Sequence, residues 1–272
     1  MSWLDALILG LVQGLTEFLP VSSSGHLMIF RQILGVTPEG FLDFTVTVHL
    51  ATVLATIVVF REQIWALFKG LREFKYNDEM DFAVKILVSM IPVFVVGVFF
   101  KDVVERMFNN FRDMGVFLVA TAVLLVFSDL VSKVYMVKDT ISNHRNGVSY
   151  LQAIFIGLAQ ACAVAPGLSR SGTTIAIGLV TGAKRSVVAQ FSFLMVLIPI
   201  IGEQFLSVVE SFVKPATDTY TVGLLPLCCG FIAAFISGVF ACKVMISFVK
   251  KAHLYWFSIY CFIVGSLIIY FY

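Results

Sequence analysis

Apolar positions along this 272-residue chain gather into long uninterrupted runs instead of marking one face of each helix. Runs long enough to cross a bilayer as helix, which takes about 20 residues, lie at 41–60, 83–100, 114–132, 187–208, 221–242 and 255–272 and predict six spans. Two further apolar stretches, 3–34 and 149–183, are interrupted, the first by Pro20 and Ser22 to Gly25, the second by Pro166, Gly167 and Ser169 to Thr174. Proline removes a backbone donor and glycine loosens the chain. Each stretch therefore predicts two helices of about 10–17 residues, too short to cross singly, and a hairpin that enters and leaves by one face fits them. Non-helical backbone at membrane depth is tolerated only inside protein or beside a polar cavity, which makes the two breaks the expected working centre.

The breaks are copies of one another. Gly10, Leu11, Gln13, Ser22, Ser24 and Gly25 recur at an offset of 147 as Gly157, Leu158, Gln160, Ser169, Ser171 and Gly172. Elsewhere the repeat is faint, although Phe44-Thr45 and Phe191-Ser192 keep the offset. An odd number of predicted spans separates the two hairpins, so the second half should enter the membrane upside down. The predicted fold is an all-α integral membrane protein, one polytopic domain over 1–272. It is read as an inverted repeat with halves 1–135 and 149–272, each a re-entrant helical hairpin plus three transmembrane helices. Paired broken helices near the midplane are also transporter architecture.

Composition agrees: 59% of residues are hydrophobic and 13% charged, against about 25% charged in soluble domains. A net charge of +2 gives no ground for a nucleic-acid partner. Its distribution says more. The face holding both termini carries Arg31, Lys101, Arg106, Arg112 and Lys214. The opposite face carries twelve cations, Arg61, Lys69, Arg72, Lys75, Lys133, Lys138, Arg145, Lys184, Arg185, Lys243, Lys250 and Lys251, while Lys85 falls within a span. By the positive-inside tendency, both termini and the mouth of the first hairpin are expected outside. With Asp5 and no basic residue ahead of the first apolar stretch, the start does not read as a cleaved signal peptide. Cys162, Cys228, Cys229, Cys242 and Cys261 lie in apolar stretches without metal-ligand spacing, and are expected to be small buried hydrophobes without disulfide or zinc.

Chemistry concentrates in the two breaks. Gln13 and Glu17 share a helix face one turn apart, and an ionised Glu17 in apolar surroundings needs a partner or a function; the plainer alternative is a structural carboxylate. The phrase Pro20-Val-Ser-Ser-Ser-Gly-His26 brings Ser22, Ser23, Ser24, Gly25 and His26 together, enough hydrogen-bonding groups for a phosphate; helix capping is the alternative use of the serines. In the second break Arg170 stands among Ser169, Ser171, Gly172, Thr173 and Thr174 where a short helix should begin. A helix N-terminus offers free amides and a positive dipole end to an anion, and guanidinium adds a bidentate fork. Arg170 could instead simply neutralise Glu17. His49 and Asp43 lie in the first full span and face the same cavity or a neighbour, and loop residues His144 and His253 carry no expectation. No Walker motif is present, and Ser171 stands where a Gly-x-Ser-x-Gly elbow needs its second glycine.

At these residues the chain closely resembles the undecaprenyl-diphosphatase family, the bacterial membrane phosphatases associated with bacitracin resistance. Two signatures carry the resemblance: Glu/Gln-x-x-x-Glu running into Pro-Val-Ser-Ser-x-Gly-His, here Gln13 to His26, and Pro-Gly-x-Ser-Arg-Ser-Gly-x-Thr, here Pro166 to Thr174. The family often has Glu at the first position, where Gln13 leaves this chain one carboxylate instead of two. The resemblance implies hydrolysis of undecaprenyl diphosphate to undecaprenyl phosphate and inorganic phosphate, with the lipid carrier recycled for peptidoglycan at the bacterial plasma membrane. It implies catalytic roles for Glu17, His26, Ser23 and Arg170 and phosphate binding by Gln13, Ser22, Ser24, Gly25, Ser169, Arg170, Ser171, Gly172 and Thr174. His26 has three roles open to it: attacking phosphorus, activating Ser23 or water, or protonating the leaving oxygen. Mg2+ or Ca2+ with Glu17 as one ligand is an expected cofactor, with no organic cofactor, and a homo-oligomer is left open. The rival function is a polyprenyl-phosphate transporter using the same pocket.

Overall fold

The computed structural model of the protein describes residues 1–38, 40–100, 103–104, 107, 110–137, 145–213, 222–251 and 254–272. The loop cations Lys101, Arg106, Lys138 and Lys214, and His144 and His253, lie outside the described residues.

Both interrupted stretches are pairs of short helices. The first is α1 (Trp3–Phe18) and α2 (Ser23–Ile33), followed by α3 (Phe41–Val59), α4 (Arg61–Leu71), α5 (Asp78–Phe99) and α6 (Phe111–Val137). A single 3-10 turn at Arg145–Gly147 leads to the second pair, α7 (Tyr150–Cys162) and α8 (Arg170–Val180), then α9 (Arg185–Val213), α10 (Leu224–Lys250) and α11 (Tyr255–Phe271). The 147-residue repeat reaches into the helix caps. Ser2 with Asp5 forms a capping box on α1, and Ser149 with Gln152 forms one on α7. Ser22 caps α2 by accepting from the Gly25 amide, as Ser169 caps α8 by accepting from that of Gly172. A side-chain oxygen at this place satisfies an amide that the helix cannot.

Helices α3, α5, α6, α9 and α10 contain segments long and apolar enough to cross a membrane. The sixth expected span differs: α11 has 17 residues, about 26 Å of helix at 1.5 Å per residue, short of the roughly 30 Å hydrocarbon core. Exposed Tyr255 and Trp256 at one end and Tyr270 and Tyr272 at the other are of the ring types that favour membrane boundaries. The basic run after the first span contains α4, an amphipathic helix that the apolar pattern did not predict, with Trp65 and Phe68 exposed.

Each hairpin leans on a helix of the other half. Helix α1 packs on α10, and α7 on α5. Both contacts run backbone to backbone: a Cβ at Gly10 would overlap the main chain at Gly230, and one at Gly157 that of Ser89. Helices α6 and α11 cross where a Cβ on Gly115 would lie 2.9 Å from the Gly265 carbonyl oxygen and one on Gly265 2.8 Å from that of Gly115. Glycine and small residues at such crossings let helices in lipid approach closely enough for dispersion to hold them. The cysteine expectation needs correcting: Cys242 and Cys261 are buried, but Cys162 and Cys228 are exposed and Cys229 is intermediate. Apolar residues in lipid have no reason to turn inward, so an apolar neighbourhood does not imply burial in protein.

Candidate active site

The two breaks meet. The α1 C-terminal end delivers Glu17, whose Oε2 accepts from Ser23 Oγ at 2.6 Å and from Gln13 Nε2 at 2.9 Å. Its Oε1 accepts from Arg170 Nη2 at 3.3 Å across the repeat. The side chain of Glu17 is 9% exposed and that of Arg170 30%, so the guanidinium forms the outer side of the pair. On α3, His49 sits with Nε2 3.8 Å from Glu17 Oε2 while its Nδ1 donates to the Thr45 carbonyl at 2.8 Å. Ser171 Oγ donates to the Leu19 carbonyl at 3.2 Å, tying the second break to the first.

The helices start where the sequence pattern placed them. Arg170 is the first residue of α8 and Ser23 the first of α2, so two helix N-termini, each a partial positive charge, come together around Glu17 and Arg170. Ser22 and Ser169 are buried and spend their hydroxyls on capping. Ser24 and Ser171 each lie 3.4 Å from the capping oxygen of their own break. Gly25 and Gly172 supply the capped amides, and Thr174 Oγ1 donates back to the Arg170 carbonyl at 2.9 Å.

His26 joins this network through the Ser22 backbone and makes no bond to Glu17. It is 3% exposed; its Nδ1 lies 2.8 Å from the Ser22 carbonyl oxygen and its Nε2 2.7 Å from the Tyr260 hydroxyl. Asp43, expected near the cavity, is instead exposed at the first turn of α3.

A small, partly open cleft lies beside the Glu17–Arg170 pair. Ser171 and Thr174, with Thr52 and Thr56 of α3 and Ser192 of α9, contribute its polar lining, and Phe18, Val53, Phe193, Val196, Leu197 and Ile200 its apolar lining. Ser192 Oγ is buried without a hydrogen-bond partner among the described residues, as is Gln13 Oε1. The arrangement joins a hydroxyl on a carboxylate, the geometry of an activated nucleophile, to a cation and helix ends that suit a phosphate, next to an apolar slot.

Tertiary networks escaped the sequence reading. Lys85 Nζ lies 2.5 Å from Asp81 Oδ2, one turn away on α5, and Tyr76, Tyr150 and Asn146 also donate to that carboxylate. Arg185 reaches Asp129 at 3.3 Å and also bonds Ser132. Opposite charges one turn apart in an apolar helix were the available signal for the first; the second joins different helices and left none.

The chain matches the family described as bacitracin resistance protein BacA over residues 6–267. It is 50% identical over 266 residues to a protein of Parabacteroides distasonis named undecaprenyl-diphosphatase, covering 97% of this chain and 96% of that protein. A Bacteroides thetaiotaomicron protein of the same name is 49% identical over 270 residues, covering 99% and 98%. One from Carboxydothermus hydrogenoformans, again so named, is 37% identical over 271 residues, covering 99% and 97%. With a break network built from both of its signatures and a match along nearly its whole length, this chain belongs to the BacA bacitracin-resistance family.

Proposed function

We propose that this protein hydrolyses undecaprenyl diphosphate to undecaprenyl phosphate and inorganic phosphate, recycling the lipid carrier of envelope synthesis. The observation that carries the reading is the Ser23–Glu17–Arg170 network at the junction of the breaks, opening onto an apolar cleft. The diphosphate meets Arg170 and the two helix N-termini while the first isoprenyl units occupy the apolar wall. The relatives carry a hydrolase's name, which leaves the transporter alternative without support.

In this mechanism Ser23 Oγ attacks the terminal phosphorus as its proton passes to Glu17 Oε2. The bridging P–O bond breaks and undecaprenyl phosphate leaves with the proton from Glu17; Glu17 then takes a proton from the water that attacks the phosphoserine and returns it to Ser23 Oγ as inorganic phosphate departs. Arg170 moves from the carboxylate to the phosphoryl oxygens, where preorganised positive charge does most of the work in such transfers. The 2.6 Å bond to Glu17 favours Ser23 over His26 as nucleophile, and His26 supports the break from behind.

Toward a divalent cation the chain offers the Glu17 carboxylate and, one turn away, the buried Gln13 Oε1, which has no hydrogen-bond partner among the described residues. Magnesium is held by few protein oxygens and takes its remaining ligands from phosphate and water, so these residues fit Mg2+, or Ca2+, arriving with the substrate. The bound ion would neutralise diphosphate charge.

The reciprocal packing of α1 on α10 and α7 on α5 supports the inverted-repeat reading. With the excess of basic residues on the face opposite the termini, it supports a plasma-membrane protein whose site opens outward. The test is phosphate release from a polyprenyl diphosphate by the detergent-purified protein and by a folded Ser23→Ala variant, with and without chelator. Release by the wild type alone is expected. Release by both would remove Ser23 as nucleophile, and release by neither would overturn the hydrolase reading.

A further inference from the structure

We infer that Tyr260, on the last helix, is a positioning residue that acts through His26 to hold the strained cap from which Ser23 projects. The inference rests on the reading of Ser23 as nucleophile.

The chain of contacts runs in one direction. A carbonyl oxygen can only accept, so the 2.8 Å contact between His26 Nδ1 and the Ser22 carbonyl places the ring hydrogen on Nδ1. Neutral imidazole then carries its lone pair on Nε2, which accepts from the Tyr260 hydroxyl at 2.7 Å. The two rings also stack, with centroids 5.6 Å apart and planes inclined by 16°. The Ser22 carbonyl accepts the backbone N–H of His26 as well, at 3.2 Å. Both contacts with the imidazole and its main chain therefore fix one carbonyl, that of the residue just before Ser23.

Ser22 needs fixing. Its φ of 69° lies in the left-handed region, which a non-glycine residue holds only when its surroundings impose it. The second break supplies the comparison. Its cap, Ser169, has φ of −70°, and the left-handed position there falls to Gly167. At the place of His26 stands Thr173, which bonds the cap carbonyl through its main-chain N–H alone, at 2.8 Å. Strained serine, imidazole and phenol thus occur together only where the next residue is the hydroxyl bonded to Glu17.

Helix α11 grips the break at a second, adjacent point: Cys261 Sγ donates to the Pro20 carbonyl at 3.3 Å. Pro20 and His26 bracket the turn, so two consecutive residues of α11 hold both of its ends. Misplacing a reacting group by about 1 Å can cost about a hundredfold in rate. Loosening this grip should therefore be read in turnover before it is read in substrate affinity.

The test compares full-length wild type, Tyr260→Phe and Ser23→Ala in detergent. It measures kcat and KM for phosphate release and the nuclear magnetic resonance signals of isotope-labelled imidazole nitrogens, with His26 assigned through a His26→Gln variant. Tyr260→Phe keeps the stacked ring and removes only the hydroxyl. It is expected to lower kcat about ten- to a hundredfold with KM held within about twofold, and to shift the His26 Nε2 signal, whose hydrogen bond is lost, while the Ser22 carbonyl keeps the hydrogen on Nδ1. Unchanged kcat in Tyr260→Phe, with Ser23→Ala inactive, would overturn the positioning role and leave the nucleophile standing. Lowered kcat with unchanged His26 signals would equally overturn it. Activity in Ser23→Ala would sink the nucleophile reading, and with it this inference.

Discussion

Removing Arg170 separates catalysis from stability. The guanidinium is 30% exposed and makes one 3.3 Å bond to Glu17, whose carboxylate keeps Ser23 and Gln13 as donors at 2.6 and 2.9 Å after Arg170→Ala. Stranding one member of a buried pair costs about 3–5 kcal/mol, but hydrogen bonds to a charged group contribute about 1.5–3 kcal/mol each. With two donors remaining and the lost partner at the rim, the expected destabilisation is only about 1–2 kcal/mol. Turnover should fall much further, by at least about a hundredfold, the scale of losing a preorganised charge stabiliser. Arg170→Lys keeps the charge without the fork and should fall between wild type and Arg170→Ala. The assay is phosphate release from polyprenyl diphosphate, with thermal unfolding followed on the same detergent preparations. A loss of tenfold or less in Arg170→Ala would refute the proposed role, as would inactivity that coincides with unfolding at the assay temperature.

Three further outcomes are expected. His26→Ala should lower turnover by at least about a hundredfold; near-normal turnover in a folded protein would show that the imidazole is dispensable. Asp81→Leu removes the shared partner of Lys85, Tyr76, Tyr150 and Asn146 and should cost about 3–5 kcal/mol in an unfolding titration, whereas Tyr76→Phe, losing one exposed contributor, should shift the unfolding midpoint far less. Ser192→Ala removes a buried hydroxyl with no partner among the described residues, so thermal stability should hold or rise while KM rises if the cleft receives the substrate; an unchanged KM would remove Ser192 from the binding surface.

The broken hairpins were legible because their punctuation is local. Proline, glycine and serine act within one turn, and the starts of α2 and α8 fall at Ser23 and Arg170, beside the capping serines. The meeting of Glu17 with Arg170 was legible as complementary charge in two copies of one phrase. Tyr260 against His26 was not, because that contact joins residues 234 positions apart and a tyrosine in an apolar helix carries no mark of its partner. Cys162 and Cys228 show a second limit. In lipid both the packed and the exposed faces of a helix are apolar, so the pattern that separates inside from outside in a water-soluble protein vanishes.

The packing of α1 on α10 also sets an order of assembly. Helix α1 ends at Phe18, and the helix that receives its Gly10 face begins at Leu224, about two hundred residues later. During synthesis the first hairpin therefore waits in the membrane, its carboxylate without the arginine, until both partners have been made. The halves complete one another late, and two separately synthesised fragments divided between α6 and α7 should recover their contacts by association.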